Sequence, residues 1–146
     1  MSFLSDYKDS LIYEIQKEFW NERGKGARYR LTMIGADFIG AALKDPTDLN
    51  EIKDFLLKEG FCKSIDMVED EFTVTLTVKD CEFLKVRNGF MDKNQQPMSC
   101  PITNVFMRAI ERVSGLGPEL LPIKANGNEC IVGLGKIGSS DVVVEV

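Results

Sequence analysis

A stretch of strictly alternating side chains near the middle of the chain does most to constrain the fold. In residues 72–80, FTVTLTVKD, apolar side chains occupy every second position, and threonine or lysine stands between them. A period of two is typical of an antiparallel strand with one buried face. The predicted inward positions are Phe72, Val74, Leu76 and Val78. Residues 62–68 predict a partner strand, so the two segments form a hairpin.

Helical patterns precede this hairpin. Apolar residues at steps of three and four predict one amphipathic helix over residues 3–20 and a second over residues 27–44. A third helix is predicted to begin at Asp48, where Glu51 stands three residues later as in a capping box.

The second half of the chain predicts another helix and another hairpin. After a polar loop over residues 84–98, a proline at the first helical position predicts a helix over 101–113. Asn-Gly at 126–127 is a preferred two-residue turn and predicts a second hairpin. The predicted order is three helices, two strands, one helix and two strands. This describes one α+β domain over residues 1–146, with helices packed on a small antiparallel sheet.

Composition excludes several classes of function. The chain has 146 residues, the length of one domain, and a net charge of −5, which argues against a nucleic-acid partner. No apolar run approaches the roughly 18 residues of a membrane span. The N-terminal segment MSFLSDYKDS has no basic region before an apolar core, so a secretory signal is not predicted. We therefore expect a cytoplasmic protein with reduced thiols.

The chain has no histidine, so the commonest general base is missing. This absence excludes serine–histidine and cysteine–histidine catalysis and removes the commonest transition-metal ligand. No phosphate-binding loop is present at the required spacing. The four cysteines are Cys62, Cys81, Cys100 and Cys130, and none belongs to a CxxC pair, so the spacing is not that of a zinc finger.

The predicted topology nevertheless favours a shared thiol site. Cys81 ends the first hairpin, and Cys130 follows the turn of the second. Cys100 stands directly before the helix that opens with a proline, where unpaired N–H groups and the helix dipole lower the pKa of a thiol. Three thiolates could hold zinc or an iron-sulfur cluster, with Cys62 or an outside group as the fourth ligand. The alternative is that each cysteine is a small apolar core residue.

The order of elements and the cysteines also resemble a known family. The stretch LKEGFCKSIDMVEDEFTVTLTVKDCEFL, the helix start CPITNVFMRAIERVSG and the hairpin LPIKANGNECIVGLG resemble the vinyl-4-reductase domain, a small hydrocarbon-binding domain. That domain is similar in fold to the TRAPP small subunits and to heme nitric-oxide-binding domains. The resemblance spans residues 27–137, which leaves residues 1–26 as an N-terminal helix and residues 138–146 as a terminal strand or tail.

The resemblance implies a small-ligand or metal pocket at Cys81, Cys100 and Cys130. This chain departs from the family in its second hairpin, which lacks a further cysteine in the pattern C-x-x-x-G-x-x-x-C. It also lacks the axial histidine of the heme relatives. Reductase activity is not implied, because the domain is generally a binding module.

Two functions follow from these expectations. The preferred one is a non-enzymatic ligand-binding or sensor domain for a small hydrophobic molecule, with a pocket between the helices and the sheet. Its predicted ligand-binding residues are Trp20, Tyr29, Phe38 and Phe106. The alternative is a homodimeric interaction subunit of the TRAPP kind, which associates through the N-terminal helix at Phe3, Leu4, Tyr7 and Leu11. A thiol enzyme with Cys100 as nucleophile ranks last, because no base is visible in the sequence.

Overall fold

The structure is a computed structural model that describes residues 3–23, 35–97 and 99–136. These residues form five helices and a five-stranded antiparallel sheet. This confirms the predicted α+β class. In chain order the elements are α1 (Phe3–Arg23), α2 (Ala36–Gly40), α3 (Leu49–Lys58), β1 (Ser64–Glu69), β2 (Thr73–Lys79), α4 (Leu84–Met91), α5 (Pro101–Ser114), β3 (Glu119–Leu120), β4 (Lys124–Asn126) and β5 (Glu129–Gly135).

The sheet is built around β2 and β5. Its strand order is β1-β2-β5-β3, and β4 also pairs with β5. The predicted alternation of β2 is confirmed from Val74 onward, because Val74, Leu76 and Val78 are buried and the threonines between them are half-buried. Phe72 was predicted on the same face but is 57% exposed. It lies in the turn before β2, where the Asp70 carboxylate accepts hydrogen bonds from the backbone N–H groups of Phe72 and Thr73, both at 2.8 Å.

The second predicted hairpin is present, with its turn one residue later than expected. Asn126 pairs with Glu129, so the turn residues are Gly127 and Asn128 rather than Asn126 and Gly127. Gly127 has a φ of 62°, a left-handed conformation that glycine adopts without steric cost. The third strand of this region, β3, pairs with the far end of β5.

Asp48 caps α3 as predicted. Its carboxylate accepts hydrogen bonds from the backbone N–H groups of Asn50 at 2.9 Å and Glu51 at 3.3 Å. The second half of the predicted capping box is absent, because the Glu51 carboxylate instead accepts from the backbone N–H groups of Lys44 and Asp45. Glu51 therefore ties the preceding loop to the start of α3.

The second predicted helix, over residues 27–44, differs from the structure where the two can be compared. Residues 24–34 lie outside the described residues. Gly35 has a φ of 82°, which is not a right-handed helical conformation, and α2 runs only from Ala36 to Gly40. The prediction of a continuous helix through residue 35 is therefore wrong, because a residue in the left-handed conformation does not continue a right-handed helix.

A helix, α4, replaces most of the polar loop predicted over residues 84–98. Its buried residues are Val86, Arg87 and Phe90, and Phe90 packs on Tyr13 of α1 with ring centroids 4.6 Å apart. The steps of three and four between the apolar residues are helical, but the interrupting polar side chains obscured them. This helix contributes a side chain to the candidate site.

The core lies between α5, α3 and one face of the sheet. The apolar residues Ile102, Phe106, Ala109 and Ile110 of α5 are buried, whereas Val113 is 72% exposed near the C-terminal end of the helix. The fully buried core side chains include Ile52, Leu56, Leu76, Ile102, Phe106, Val132 and Leu134. No helix among the described residues has the length and apolar character needed to cross a bilayer.

Candidate thiol site

The directions of the strands bring three of the four cysteines to one end of the sheet. Cys62 precedes β1, Cys81 follows β2, and Cys130 is the second residue of β5. Both β1 and β5 run antiparallel to β2, so the start of each lies beside the end of β2. The pairing of Val78 with Cys130 fixes this arrangement in the register of the sheet.

Cys100 reaches the same end of the sheet from the other layer. It is the N-cap residue of α5, with extended backbone angles, and Pro101 is the first residue of the helix. The buried side chains of α5 and of the sheet form one core, so the helix lies on the sheet and its N-terminus brings Cys100 close to the other thiols.

Cys81, Cys100 and Cys130 line one small cavity of about 30 Å³. The structure therefore brings together the three cysteines that the sequence singled out. The remaining wall is mostly apolar and is formed by Phe83, Val86, Arg87, Pro97, Ser99, Pro101, Ile123 and Val132. All four cysteines of the chain are free thiols.

Cys62 lies next to this cavity without lining it. Its side chain is buried in the core, and this burial raises the pKa of the Cys62 thiol, with repulsion from Cys100 adding to the effect. The Cys81 thiol is coupled in the same way to all three other cysteines. The four thiols are thus close enough to affect one another's ionisation. Three of them line the cavity, and Cys62 does not.

Burial favours the protonated form of Cys62, Cys81 and Cys100. It raises the pKa of Cys81 to about 12, and repulsion from Cys100 adds to the effect, while a hydrogen bond from the Phe83 backbone N–H to the Cys81 sulfur at 3.1 Å opposes it. Burial also raises the pKa of Cys100, although hydrogen bonds from Thr103 and Ile102 at the helix start favour the thiolate. The predicted lowering of the Cys100 pKa is therefore wrong, because desolvation in the apolar cavity outweighs the helix N-terminus.

A buried arginine from α4 completes the cavity wall. Arg87 is only 8% exposed, and its Nη1 donates a hydrogen bond to the Cys130 sulfur at 3.0 Å. The other guanidinium hydrogen bonds go to the carbonyl oxygens of Gly127 and Glu129 and to the Asn88 side-chain oxygen. The site thus places a fixed positive charge against one of its thiols.

Sequence reasoning missed Arg87. The residue falls in the segment predicted as a polar loop, where an arginine is expected to be solvated. Its position one residue after Val86 and three before Phe90, both buried on the same helix, is the signal that could have found it.

The predicted ligand-binding aromatics do not form a comparable group. Phe38 is 84% exposed, whereas Phe106 is fully buried in the core, and neither lines the thiol cavity. Trp20 belongs to α1, but its side chain lies outside the described part of the structure, as does the whole of Tyr29. Phe38 and Phe106 therefore do not face a common pocket.

The thiols do not stand in a ready-made metal geometry. Among the described residues, no group of three or more cysteine, aspartate and glutamate side chains is placed so that it could hold a metal ion. The metal role of Cys81, Cys100 and Cys130 stays a prediction.

Comparison with known protein families assigns the chain to one of them. Residues 9–133 match the family described as putative rubredoxin C-terminal domain, and the match covers most of the sequence. The chain belongs to this family. The comparison with curated proteins gives no match.

This membership corrects the resemblance inferred from the sequence. The matched family is not the vinyl-4-reductase domain, so that identification is wrong. A cysteine after a hairpin, a cysteine at a helix start and a cysteine after a glycine turn occur together here, but these motifs are too loose to identify a family. Expectations that rested on the hydrocarbon-binding family alone lose their basis.

Proposed function

We propose that the domain binds a single soft metal ion, of the iron or zinc class, at the thiol cavity. The observation that carries this proposal is the convergence of Cys81, Cys100 and Cys130 on one cavity, with Arg87 in its wall. The family name links the domain to rubredoxin and supports a cofactor of iron type. Thiolates are the protein ligands that iron and zinc take in tetrahedral sulfur sites.

The size of the cavity favours one ion over a larger occupant. A volume of about 30 Å³ is far below the roughly 300–1,000 Å³ of pockets that hold small organic molecules. It is close to the volume that one or two water molecules occupy. An iron-sulfur cluster or a hydrophobic ligand would therefore require the walls to open, whereas a single ion would not.

Closing the site around an ion would require only local movement. The cysteine side chain has a single rotatable bond to its sulfur, and Cys81 and Cys100 lie in connections next to β2 and α5 rather than within them. Rotation of these two side chains toward Cys130 is a smaller change than displacement of a strand. The ion would also have to displace the thiol protons, since burial raises the pKa of Cys81 and Cys100.

Elemental analysis of protein purified under reducing, anaerobic conditions tests the proposal. We expect near-stoichiometric iron or zinc in the wild type and a loss of most of it in Cys81→Ser, Cys100→Ser and Cys130→Ser. Ile52→Val is the matched control, since it weakens the core by about 1 kcal/mol without touching the cavity. A wild type that neither retains metal nor takes it up on reconstitution would contradict the proposal.

Cys62→Ser separates two forms of the site. If Cys62 is the fourth ligand, this variant loses metal as the other three do. If the ion takes three thiolates and an outside group, Cys62→Ser keeps its metal and loses only some stability, because Cys62 does not line the cavity.

Native mass spectrometry of the same samples checks the hydrophobic-ligand hypothesis. That hypothesis predicts a retained organic mass that denaturation releases, together with little metal. A metal-loaded protein without such a mass would favour the ion over the ligand.

A second candidate function is homodimerisation through α1, and the exposure of its apolar side chains favours it. Four large apolar residues at steps of four lie exposed along this helix, namely Phe3, Tyr7, Leu11 and Ile15. Contiguous exposed apolar surface often marks a protein interface. Light scattering at micromolar concentration should show a dimer in the wild type and a monomer in Tyr7→Glu/Leu11→Glu, with unchanged metal content in both. A monomeric wild type would remove this candidate.

A further inference from the structure

We propose that Arg87 is a positioning residue that compensates the negative charge of the thiolate site, so that the site takes a metal ion as an anionic thiolate complex rather than a neutral ligand. The inference rests on the proposed metal binding and deepens it. It names the chemical form of the occupant and a residue outside the ligand set that determines affinity.

The first argument is the environment of the guanidinium. Arginine is almost never fully buried unless its charge is paired. None of the ion pairs that the described residues form includes Arg87. Its acceptors are two backbone carbonyls, the Asn88 amide oxygen and the Cys130 sulfur. Of these four groups, only the sulfur can become an anion.

The second argument is how firmly the guanidinium is held. Its five N–H groups all donate hydrogen bonds, of which four go to the turn carbonyls, at Gly127 and Glu129, and to Asn88 on the same helix. The remaining bond, from Nη1, points at the cavity sulfur. The charge therefore cannot rotate away to solvent without breaking these bonds, and it acts as a fixed electrostatic element of the site.

The third argument is the charge of the loaded site. A divalent ion held by three thiolates carries a net charge of minus one, and Arg87 brings the total to zero. Without Arg87, a buried anion would remain in a mostly apolar wall, which is costly. A neutral hydrophobic occupant would gain nothing from the guanidinium. Outer groups that hydrogen-bond to metal ligands typically contribute 10–100-fold to metal affinity.

Titration of the reduced, metal-free protein with Co²⁺ tests this inference, with the thiolate-to-cobalt charge-transfer band as the readout. We expect Arg87→Gln to weaken Co²⁺ binding by about 10–100-fold while the band of the saturated complex keeps its position. The weakening should persist at high salt, because a buried charge is screened little. Lys85→Gln is the control: it removes a unit charge from the same helix at the surface, where Lys85 pairs with Asp6, and should change affinity little.

A second variant keeps the test decisive. If Arg87→Gln fails to fold, Arg87→Lys replaces it, since it keeps the charge but loses the fork of hydrogen bonds and should retain part of the affinity.

The outcomes separate the two claims. A wild type that gives no cobalt–thiolate band overturns the proposed metal binding itself. Equal Co²⁺ affinities of the wild type and Arg87→Gln, with a normal band in both, overturn the role of Arg87 and leave metal binding intact. A loss in Arg87→Gln that disappears at high salt, or that is matched by Lys85→Gln, would assign the effect to general surface charge and also overturn it.

Discussion

The ring of Tyr13 in α1 packs directly on Gly89 of α4. A methyl group added at Gly89 would lie 2.9 Å from Cδ1 of Tyr13, closer than any normal contact between carbon atoms. Tyr13 also packs against Phe90 with the two rings tilted by 52°, and its hydroxyl accepts a hydrogen bond from Lys93 at 3.0 Å. This close approach fixes α1 on the helix that carries Arg87, and therefore connects the N-terminal helix with the wall of the thiol cavity.

The Tyr13–Gly89 contact predicts that Gly89→Ala destabilises the protein when the Tyr13 ring is present but not when it is absent. Gly89→Ala should destabilise the protein by about 1–3 kcal/mol, because overpacking forces the ring or the helix to move. In a Tyr13→Ala background the same change should be neutral or stabilising by up to about 1 kcal/mol, because alanine favours a helix interior more than glycine. Urea unfolding of the four proteins measures this, and a loss of equal size in both backgrounds would show that the ring is not the cause.

The cap that Asp48 provides at the start of α3 predicts that removing its carboxylate lowers the stability of the protein. Asp48→Ala should lower the free energy of unfolding by about 0.5–2 kcal/mol, because the backbone N–H groups of Asn50 and Glu51 lose their acceptor. Asp54→Ala removes a carboxylate from the exposed side of the same helix and should cost less than about 0.5 kcal/mol. Chemical denaturation of both variants checks the difference, and equal losses would argue against the cap.

The buried thiols predict a loss of stability at alkaline pH. An unfolded cysteine has a pKa of about 8.5, whereas burial raises the pKa of Cys81 in the folded state to about 12. The unfolded state therefore releases its proton first as the pH rises. The contribution of Cys81 is fully present below about pH 8.5 and is lost progressively up to about pH 12, with a slope on the order of 1 kcal/mol per pH unit.

Urea unfolding of the reduced protein from about pH 8 to about pH 11 measures this slope. Cys81→Ala should reduce the slope even if it also lowers stability at every pH. Cys62 and Cys100 contribute in the same direction, because burial raises the pKa of both. A free energy of unfolding that stays constant over this range would show that the thiols ionise equally in both states.

The fold class and the meeting of the three thiols could be predicted because they depend on local periodicity and chain direction. The alternation of β2 and the turn of the second hairpin are local signals, and antiparallel pairing of β2 with β5 then places Cys81 and Cys130 at the same end of the sheet. The N-cap position of Cys100 followed from Pro101 alone. The meeting of the thiols also required β2 to pair with β5, a contact between segments about fifty residues apart that the two predicted hairpins do not specify.

Features that depend on tertiary packing could not be predicted in this way. The helix dipole at Cys100 is a local property, but the desolvation that outweighs it comes from the opposite wall of the cavity. The burial of Arg87 depends on acceptors some forty residues away in sequence, at Gly127 and Glu129. The family itself was misassigned because the spacing of single cysteines constrains it too weakly.

The raised pKa values of Cys81 and Cys100 predict that the affinity for a metal ion increases as the pH rises. Near pH 7 the thiols of Cys81 and Cys100 are protonated, so a metal ion must displace their protons, and the apparent affinity rises as the pH rises. With at least two protons released per ion, we expect Co²⁺ affinity to rise more than about tenfold per pH unit between about pH 6 and pH 8. Calorimetry in buffers of different ionisation enthalpy counts the released protons directly. Ile52→Val, which leaves the cavity unchanged, should show the same dependence as the wild type. An affinity that does not change with pH would mean that the ligands are already ionised, or that the ion binds outside the thiol cavity.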